Sequence, residues 1–381
     1  MLRWRAGTVT GVRRRWPGAV ECEVRVDTAP RGSAGPEADG GAADAPGAVV
    51  RALAYVELVG CPVAGDRVLL NTAALARGLG TGGYAMVVAL PEALPADPPA
   101  GPGHLVKARY TPLQAMVLGV DEQESEHHDA LAGADDLGGA PVVVADLHSA
   151  LPAVLAGVRS HEPGARVVYV LTDGGALPAA FSRAVAGLRE AGWLAACVST
   201  GQSFGGDLEA ATVHTGMLAA RLVAGADVLV VAQGPGNLGT GSRWGFSGVA
   251  AGEALNAATV LGGRAVAALR VSQADARERH RGLSHHSATA VGRVALAPVD
   301  VAVPAAGDEA GGFWDGVREQ ARALCAPVGR HRLVEVGTAG LDEALGACPV
   351  PLSTMGRGPQ QDRAAFVAAA VAGRHAAALL G

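Results

Sequence analysis

The sequence predicts an α/β protein in which a small N-terminal β-barrel-like domain precedes a Rossmann-like, doubly wound domain with a mostly parallel sheet. Two patterns support this prediction. In the first 90 residues, apolar and polar residues alternate with a period of two, as in strands that have one face in solvent. From about residue 104 onward, continuous apolar runs of strand length alternate with helical patterns. Such runs are typical of parallel strands that are covered by helices on both faces.

The barrel-like domain is predicted over residues 1–90. Between positions 20 and 27 the side chains are alternately apolar and charged, which predicts a strand with one solvent-facing side. A small barrel is the simplest closure of so few strands. The Ala-, Gly- and Pro-rich stretch 28–47 is predicted to be a flexible loop, and PEALPADPPAGPG at 91–103 a linker. Further strands of this domain are predicted at Val49–Leu58, Arg67–Asn71 and Ala85–Leu90.

The Rossmann-like α/β domain is predicted over residues 104–381. Its apolar runs lack alternation, so both faces of each strand are expected to be buried. Helices are predicted between the strands, for example at Pro178–Ala191 and Leu208–Ala224, where apolar residues recur at helical spacing. The predicted strands are 142–145, 167–171, 194–199, 227–232, 265–271 and 333–336.

Composition excludes several classes of protein. Hydrophobic residues make up 49% of the chain, which is ample for a large core. The net charge of -5 argues against a general nucleic-acid or anionic-membrane binder. No stretch reaches the roughly 18 apolar residues of a membrane span, and the N-terminus lacks the apolar core of a signal peptide. The 5 cysteines form no CxxC pair, so reduced thiols and a cytoplasmic location are expected.

Polar, glycine-rich loops follow five of the predicted strands. Ligands of open α/β sheets bind outside the carboxyl ends of the strands, where such loops begin. Because the carboxyl ends of parallel strands share one edge of the sheet, we expect these loops to surround one ligand site. The loops contain Asp146 and His148, Asp173, Asp207, the run Gly234–Arg243, and the histidines His280, His285 and His286.

The glycine run after the fourth of these strands matches the pattern GxGxxG at Gly234–Gly239. A dinucleotide site is disfavoured because glycines continue before any helix begins and no acidic residue is placed for a ribose, so NAD is not expected. Backbone N–H groups of this loop could instead hold a phosphate or carboxylate. The alternative is that the glycines only permit positive-φ turns. The predicted anion-binding residues are Gly234, Gly236, Asn237, Gly239, Thr240, Gly241 and Arg243, with Ser242 beside them.

Histidines and carboxylates in the same loops suggest proton transfer or metal binding. Imidazole titrates near neutrality and ligates transition metals, and carboxylates complete such sites. The spacing matches no known metal motif, and solvated or capping histidines are the alternative. Arg357, between glycines, could approach an anion, although a surface turn is the favoured interpretation. The predicted catalytic residues are Asp173, His148, His285 and Asp207, and the candidate ligands of a divalent metal are His280, His285, His286 and Asp146.

The barrel suggests a second class of function. Five arginines and two tryptophans occur before the first acidic residue, and arginines with aromatics on a small barrel can hold single-stranded nucleic acid. Against this, the next predicted strand carries Glu21, Glu23 and Asp27, which could neutralise them. The five arginines are Arg3, Arg5, Arg13, Arg14 and Arg15.

Several longer motifs resemble one family along nearly the whole chain. They are LNTAALARGLGTGGY, LTDGGALPAAFS, GQSFGGDLEA, AQGPGNLGTGSRWGFSG and RERHRGLSHH. On these motifs the chain resembles a bacterial family, domain of unknown function 3866. The resemblance implies an actinobacterial, intracellular protein and transfers no activity or catalytic residue. The stretch 28–47 is where this sequence departs most from the family pattern.

The leading hypothesis is a cytoplasmic small-molecule enzyme that binds an anionic or nucleotide-like ligand at the carboxyl edge of the sheet. The alternative is a non-catalytic regulatory protein that uses the barrel as a surface for nucleic acid or another partner. The sequence makes no prediction of the oligomeric state.

Overall fold

The computed structural model describes residues 2–28, 42–309, 311–326 and 329–381, without the side chain of Ala42. The chain divides into two compact units. The first comprises Met1–Gly101 with Ala108–Ala115, and the second comprises Pro102–Lys107 with Met116–Gly381.

The first unit contains a closed five-stranded barrel in the order β1-β2-β3-β5-β4. The β3–β5 pair is parallel and the others are antiparallel. The alternation between positions 20 and 27 places Cys22, Val24 and Val26 in the barrel core. The elements of this unit are β1 (Trp4–Trp16), β2 (Ala19–Thr28), β3 (Val49–Tyr55), α1 (Val56–Val59), β4 (Arg67–Asn71), α2 (Ala73–Ala76) and β5 (Ala85–Ala89).

Two details of the barrel differ from the sequence-based prediction. The strand predicted at Val49–Leu58 ends at Tyr55, because the chain turns into the short helix α1. Glu21, predicted to face solvent, is only 2% exposed. Its buried position is stabilised by a hydrogen bond of 3.1 Å, which the Tyr84 hydroxyl donates to Glu21 Oε2.

The flexible loop predicted at 28–47 lies mostly outside the described residues, since 29–41 are not described. The described end of this stretch is anchored. Asp44 is fully buried and accepts hydrogen bonds from Arg3 Nε at 2.8 Å and Thr72 Oγ1 at 2.6 Å. Arg5 Nε donates to its carbonyl oxygen at 2.9 Å.

The second unit is built on an eight-stranded sheet whose order is β11-β10-β9-β12-β8-β13-β16-β17. Every neighbouring pair in it is parallel. The strands of the sheet are β8 (Pro141–Ala145), β9 (Val167–Thr172), β10 (Ala196–Ser199), β11 (Leu208–Glu209), β12 (Val228–Gln233), β13 (Arg264–Ala268), β16 (Asp300–Pro304) and β17 (Arg332–Val336).

Two further pairs of short strands lie outside this sheet. The strands β14 (Val271–Ser272) and β15 (Gly282–Leu283) form an antiparallel hairpin, and β6 (Leu105–Lys107) pairs with β7 (Ala115–Val117). The remaining helices are α3 (His128–Leu131), α4 (Leu151–Arg159), α5 (Arg183–Glu190), α6 (Val213–Leu218), α7 (Ala250–Val260), α8 (His285–Thr289), α9 (Gly312–Cys325), α10 (Leu341–Gly346) and α11 (Pro359–Ala378).

Helices cover both faces of the sheet. The helix α11 packs on β8, β13 and β16 and against α4, whereas α7 packs on β8, β12 and β13 and against α6. Both α7 and α11 pack on β8 and β13, but α7 contacts α6 whereas α11 contacts α4. The two helices therefore lie on opposite faces of the sheet. The predicted doubly wound α/β architecture is therefore confirmed. Its core is built from the apolar strands, most of whose side chains are fully buried.

Three elements of this unit differ from the sequence-based prediction. The run 265–271 is not one strand, because β13 ends at Ala268 and Val271 begins the hairpin. The strand β16 was not predicted, since its short run is flanked by an aspartate and a proline. The helix predicted at Leu208–Ala224 begins only after Thr212, whose hydroxyl caps Thr215 N–H, because Leu208 and Glu209 pair with β10 instead.

None of the helices in the described part of the chain has the length and apolar character needed to cross a membrane.

Candidate functional site

A cleft of about 510 Å³ lies at the carboxyl edge of the sheet in the second unit. Its lining comes from the loops that follow β8, β12 and β13, and from residues 351–355. These three strands are adjacent in the order β12-β8-β13, so their exit loops meet as the parallel arrangement requires. The loops after β9 and β10 lie toward one side of this group.

Arginine supplies every charged side chain that lines the cleft. These side chains are Arg270, Arg277 and Arg279, and no carboxylate belongs to the lining. Arg277 is positioned by Asp275, to which its Nε and Nη2 each donate over 2.9 Å. Burial lowers the pKa of Arg270, an effect that the nearby carboxylate of Asp146 opposes. The charged side chains in the lining are therefore all cationic, although the chain as a whole is acidic.

Three histidines lie together beside the arginines. One ring nitrogen from each of His280, His285 and His286 falls within 4.8 Å of the others. His280 and His286 line the cleft, and the ring of Phe246 stacks on His286 with 3.8 Å between centroids. Burial lowers the pKa of His280 to about 4 and that of His286 to about 3, and Arg270 reinforces both shifts. These two imidazoles are consequently neutral at pH 7.

Asp146 lies behind this histidine group. It is 6% exposed, and burial raises its pKa to about 6, although Arg270 opposes that shift. Its Oδ2 lies 3.9 Å from His286 Nδ1 and has no hydrogen-bond partner in the described part of the chain. The end of β12 fixes its backbone, because Gln233 Nε2 donates to the Asp146 carbonyl oxygen over 2.8 Å. Asp146 thus offers an acceptor that nothing in this arrangement uses.

His148 lines the cleft on its opposite side and is held by two hydroxyl groups. Its Nε2 lies 2.7 Å from Ser182 Oγ and its Nδ1 lies 3.1 Å from the Tyr169 hydroxyl oxygen. The Tyr169 hydroxyl also lies 3.0 Å from two carbonyl oxygens of β12, so it donates there and accepts from His148 Nδ1–H. The Nε2 lone pair is then directed at Ser182. Burial lowers the pKa of His148 to about 4, which keeps the ring neutral.

The glycine-rich loop contributes to the cleft in part. Two of its predicted anion-binding residues, Thr240 and Arg243, are not in the lining. Thr240 N–H donates to the Gly245 carbonyl oxygen in a small turn, and Arg243 is exposed. The residues of this loop that line the cleft are Gly234, Pro235, Gly236, Asn237, Gly239 and Gly241.

Close packing between two loops explains part of the glycine pattern. A Cβ atom at Gly234 would lie 2.3 Å from the Ala176 carbonyl oxygen, and one at Gly175 would lie 2.0 Å from the Gly234 carbonyl oxygen. Gly236 instead requires its glycine for a φ of +96°. The helix α7 begins only at Ala250, so these glycines do not lead directly into a helix as those of a dinucleotide motif do.

Asp173 and Asp207 lie outside the cleft lining. Asp173 is exposed and accepts a hydrogen bond from Gln202 N–H at 2.9 Å. Asp207 accepts from Cys197 N–H at 2.7 Å and pairs with Arg189. Asp207 follows β10 and the histidines follow β13, and these two strands are four strand spacings, roughly 19 Å, apart in the sheet. The structure therefore does not bring Asp207 to His285.

Arg357 directly follows an exposed turn, and its side chain, which is 21% exposed, does not line the cleft. Its Nε donates to Asp362 Oδ2 at 3.0 Å and its Nη2 lies 3.3 Å from Asp275 Oδ2. Both carboxylates are buried, and Ser272 Oγ also donates to Asp362. This network joins the chain before α11 to the hairpin that carries the arginines of the cleft.

Most of the arginines considered for nucleic-acid binding already have partners within the first unit. Arg3 and Arg5 bind Asp44, Arg13 pairs with Glu23, and Arg15 Nη1 contacts Cys61 Sγ at 2.6 Å. This pairing reduces the charge that the barrel could offer to a phosphate backbone.

Sequence reasoning did not predict five residues of this site, which are the cleft arginines Arg270, Arg277 and Arg279 together with Ser182 and Tyr169. Arg270 lies two residues after the end of β13, where a charged residue interrupting an apolar run could have revealed it. Ser182 and Tyr169 gave no such signal, since the first is an N-cap of α5 and the second lies inside an apolar strand.

Comparison with known proteins identifies a family for the chain and no characterised relative. A family model described as "Protein of unknown function (DUF3866)" matches residues 51–373. This match confirms the family resemblance seen in the sequence. No curated protein and no solved structure matches the chain.

Proposed function

This chain belongs to DUF3866, a family described as being of unknown function, and we propose that it is a small-molecule enzyme whose ligand carries a phosphate or carboxylate group. The observation that carries this proposal is the lining of the cleft at the carboxyl edge of the sheet, where three arginines occur without any acidic residue. Guanidinium groups form strong, charge-assisted hydrogen bonds with both kinds of anion.

The local charge is not a consequence of a basic protein. The chain has a net charge of -5, so three arginines on one cleft are a concentration of positive charge against the overall trend. A volume of about 510 Å³ lies within the range of small-molecule sites and is far too small for a folded partner. Both features favour a metabolite-sized anion.

The chemical step in this proposal belongs to His148. His148 Nε2 lies 2.7 Å from the Ser182 hydroxyl and would accept its proton as the Ser182 oxygen bonds to an electrophilic carbon or phosphorus of the ligand. The imidazole would then return this proton to the group that the new bond displaces. The Tyr169 hydroxyl holds the ring in the required tautomer from the other side. Asp173, Asp207 and His285 remain predictions as catalytic residues, and they do not enter this step.

The cytoplasm is the location that this proposal favours. The five cysteines are free thiols, which suits a reducing compartment. Phosphorylated and carboxylated small molecules are concentrated in the same compartment.

A titration with simple anions tests the proposal. Inorganic phosphate, pyrophosphate, sugar phosphates and nucleotides are added to the chain in the presence of EDTA, and melting temperature and heat of binding are recorded. A ligand of the folded state raises stability by about 2.7 kcal/mol at a concentration 100 times its Kd. At least one of these anions should therefore raise the melting temperature in a saturable manner.

Two variants make the test specific to the cleft. Arg279→Gln removes an arginine from the lining, and Arg281→Gln removes an exposed arginine two positions away that is not in the lining. Loss of a charge-assisted hydrogen bond worth ~1.5–3 kcal/mol predicts about tenfold weaker binding or more for Arg279→Gln. Arg281→Gln should bind as the wild type does. Equal weakening by both substitutions, or no stabilisation by any anion, would contradict the proposal.

A further inference from the structure

The histidine group beside the cleft has the composition of a metal site. Three imidazoles are the protein ligands of one well-known class of catalytic zinc centre, in which the fourth position is left to water or substrate. His280, His285 and His286 bring one ring nitrogen each within 4.8 Å of the others. Two of these histidines line the cleft, so a fourth position would face the space where the anion is proposed to bind.

We infer that His280, His285 and His286 together bind one transition-metal dication of the Zn²⁺ type, with an open coordination position toward the arginine-lined cleft. This inference goes beyond the proposed anion site and does not depend on it. A zinc–nitrogen distance of 2.0–2.1 Å in a tetrahedron corresponds to about 3.3 Å between ligand nitrogens. The rings therefore have to approach one another by at most ~1.5 Å, which small side-chain rotations achieve.

Hydrogen bonds identify the ligand atom of each ring. The Nδ1 of His280 lies 2.8 Å from Ser284 Oγ, which leaves its Nε2 for the metal. The Nε2 of His285 is buried and has no hydrogen-bond partner in the described part of the chain. Buried imidazole nitrogens without partners are uncommon, because the lost hydration is not replaced. A metal ion would satisfy this atom.

Asp146 supplies the second, independent observation. Its Oδ2 is buried, has no hydrogen-bond partner among the described residues and lies 3.9 Å from His286 Nδ1. Metal-binding histidines commonly donate their other N–H to a carboxylate, which fixes the ring and raises its basicity. A small rotation of His286 would form this bond and direct its Nε2 to the metal. Asp146 is thereby assigned as a positioning residue for His286.

Arg270 opposes this arrangement. Its Nη1 lies 3.1 Å from His286 Nδ1, and since arginine only donates, that nitrogen is then an acceptor and Nε2 carries the proton. Metal binding therefore requires the His286 proton to move from Nε2 to Nδ1. It also requires Nδ1 to give up the hydrogen bond from Arg270 and to donate to Asp146 instead. The displaced guanidinium remains in the cleft, where an anion can bind it.

Charge also shapes the site. The arginines that line the cleft repel a bare dication. The Asp146 carboxylate and an anion or hydroxide in the fourth position offset this repulsion. The other candidate group, His104 with Glu122 and Glu124, has no comparable burial, since the His104 side chain is 78% exposed.

Metal content and affinity provide the test. The purified chain is stripped with EDTA, dialysed against Zn²⁺ and analysed for bound metal, and Co²⁺ is then titrated because its visible absorption reports tetrahedral coordination. We expect one tightly bound zinc per chain and a tetrahedral Co²⁺ spectrum. His280→Gln and His285→Gln should each weaken Zn²⁺ binding by at least 100-fold. Asp146→Asn, which keeps the shape of the side chain, should weaken it by ~10–100-fold.

Matched variants locate the ion. His161→Gln, which changes an exposed histidine, and His104→Gln, which changes the other candidate group, should retain wild-type zinc affinity. Circular dichroism identifies any variant that fails to fold. Even in that case, zinc binding by the wild-type chain tests the inference by itself. A wild-type chain that retains no zinc, or one whose zinc is lost in His104→Gln and kept in His285→Gln, overturns the inference.

The anion and metal results are separable. Anion binding is measured in EDTA and zinc binding in the absence of phosphate. Loss of zinc binding with intact anion binding would reject only the metal site, and the opposite pattern would reject only the anion site.

Discussion

At the scale of single residues, Lys107 is the most unusual side chain of the second unit. It is the only lysine of the chain and its side chain is fully buried. Its ammonium group donates to the carbonyl oxygens of Ser203 at 2.8 Å and Ala210 at 3.0 Å, and lies 3.3 Å from Glu209 Oε2. Burial lowers the pKa of Lys107 and raises that of Glu209 to about 7, and their mutual attraction opposes both shifts.

Replacing Lys107 by methionine should therefore destabilise the fold strongly. Lys107→Met leaves Glu209 buried without its cation, and breaking a buried pair from one side costs ~3–5 kcal/mol. The double variant Lys107→Met/Glu209→Gln should recover part of that loss, because no unpaired charge remains. Urea unfolding measures the free energies. Arg322→Gln, which breaks an exposed pair with Glu335, serves as the control and should cost less than about 1 kcal/mol.

The pKa of His148 predicts how the free energy of unfolding depends on pH. Its pKa is about 4 in the folded chain and about 6.5 when unfolded. Between these values the unfolded chain takes up a proton that the folded chain does not bind. The free energy of unfolding should consequently fall as pH decreases from 6.5 to 4, by up to ~3 kcal/mol from this residue.

The comparison with a variant isolates this contribution. Urea unfolding of the wild type and of His148→Gln between pH 7 and 4.5 should give a smaller pH slope for the variant. His280 and His286 act in the same direction, and Asp146 and Glu209 act in the opposite one, but all four are present in both chains. His161→Gln should keep the wild-type slope. Identical slopes for wild type and His148→Gln would contradict the assigned pKa.

At the scale of elements, the contact between α4 and α11 depends on two glycines. A Cβ atom at Gly157 would lie 1.9 Å from the Ala370 carbonyl oxygen, and one at Gly373 would lie 2.0 Å from the Val154 carbonyl oxygen. Each helix thus presents a glycine to the backbone of the other. Helix propensity alone would favour alanine at both positions by about 1 kcal/mol, so packing has the larger effect here.

Gly157→Ala should destabilise the protein despite this propensity. The added methyl group meets backbone atoms, which cannot rotate away, so the helices must separate at a cost of at least ~2 kcal/mol. Gly316→Ala is the matched control, because Gly316 lies inside α9 with no atom within 4 Å of the added methyl group. That substitution should stabilise by up to about 1 kcal/mol. A Gly157→Ala chain as stable as the wild type in urea would show that the two helices are not in close contact.

The elements also show what sequence patterns can and cannot predict. The strand β9 was predicted almost completely, because both of its faces are buried and its apolar run is unbroken. The stretch after Asp207 was predicted as a helix, since Val213, Met217 and Leu218 have helical spacing. Its first two residues pair with β10 because the Asp207 side chain binds Cys197 N–H and draws this segment to the sheet edge. Such a tertiary contact leaves no periodic signal.

At the scale of the whole molecule, the fold class followed from the sequence but the strand order did not. The central strands are similar runs of valine and alanine, so nothing in their composition specifies their neighbours. That order decides which loops meet. Because β12, β8 and β13 are adjacent, most of the glycine-rich loop, His148, His280 and His286 surround one cleft, whereas Asp173 and Asp207 follow strands on its flank. Residue type predicted candidates for the site, and only topology selected among them.

The cleft also depends on a contact between distant parts of the chain. Residues 351–355 form one wall and the segment from Arg270 to His286 forms another. Arg357 connects them, since it binds Asp362 in α11 and Asp275 beside the hairpin. The two carboxylates are 1% and 2% exposed, so losing the guanidinium leaves buried charge with fewer partners. The contacts of Arg357 with both carboxylates are therefore favoured, and they hold the two walls of the cleft together.

Arg357→Gln should therefore loosen both walls together. We expect faster amide hydrogen exchange in residues 351–357 and in 271–283, and a loss of about 2 kcal/mol in the free energy of unfolding. Arg363→Gln, in α11, is the control, because Arg363 pairs with Asp342 and Glu309 away from the hairpin. Its effect should be absent from 271–283. If Arg357→Gln changes exchange only in its own segment, the two walls are held by separate contacts, and the cleft owes its shape to the loops of the sheet alone.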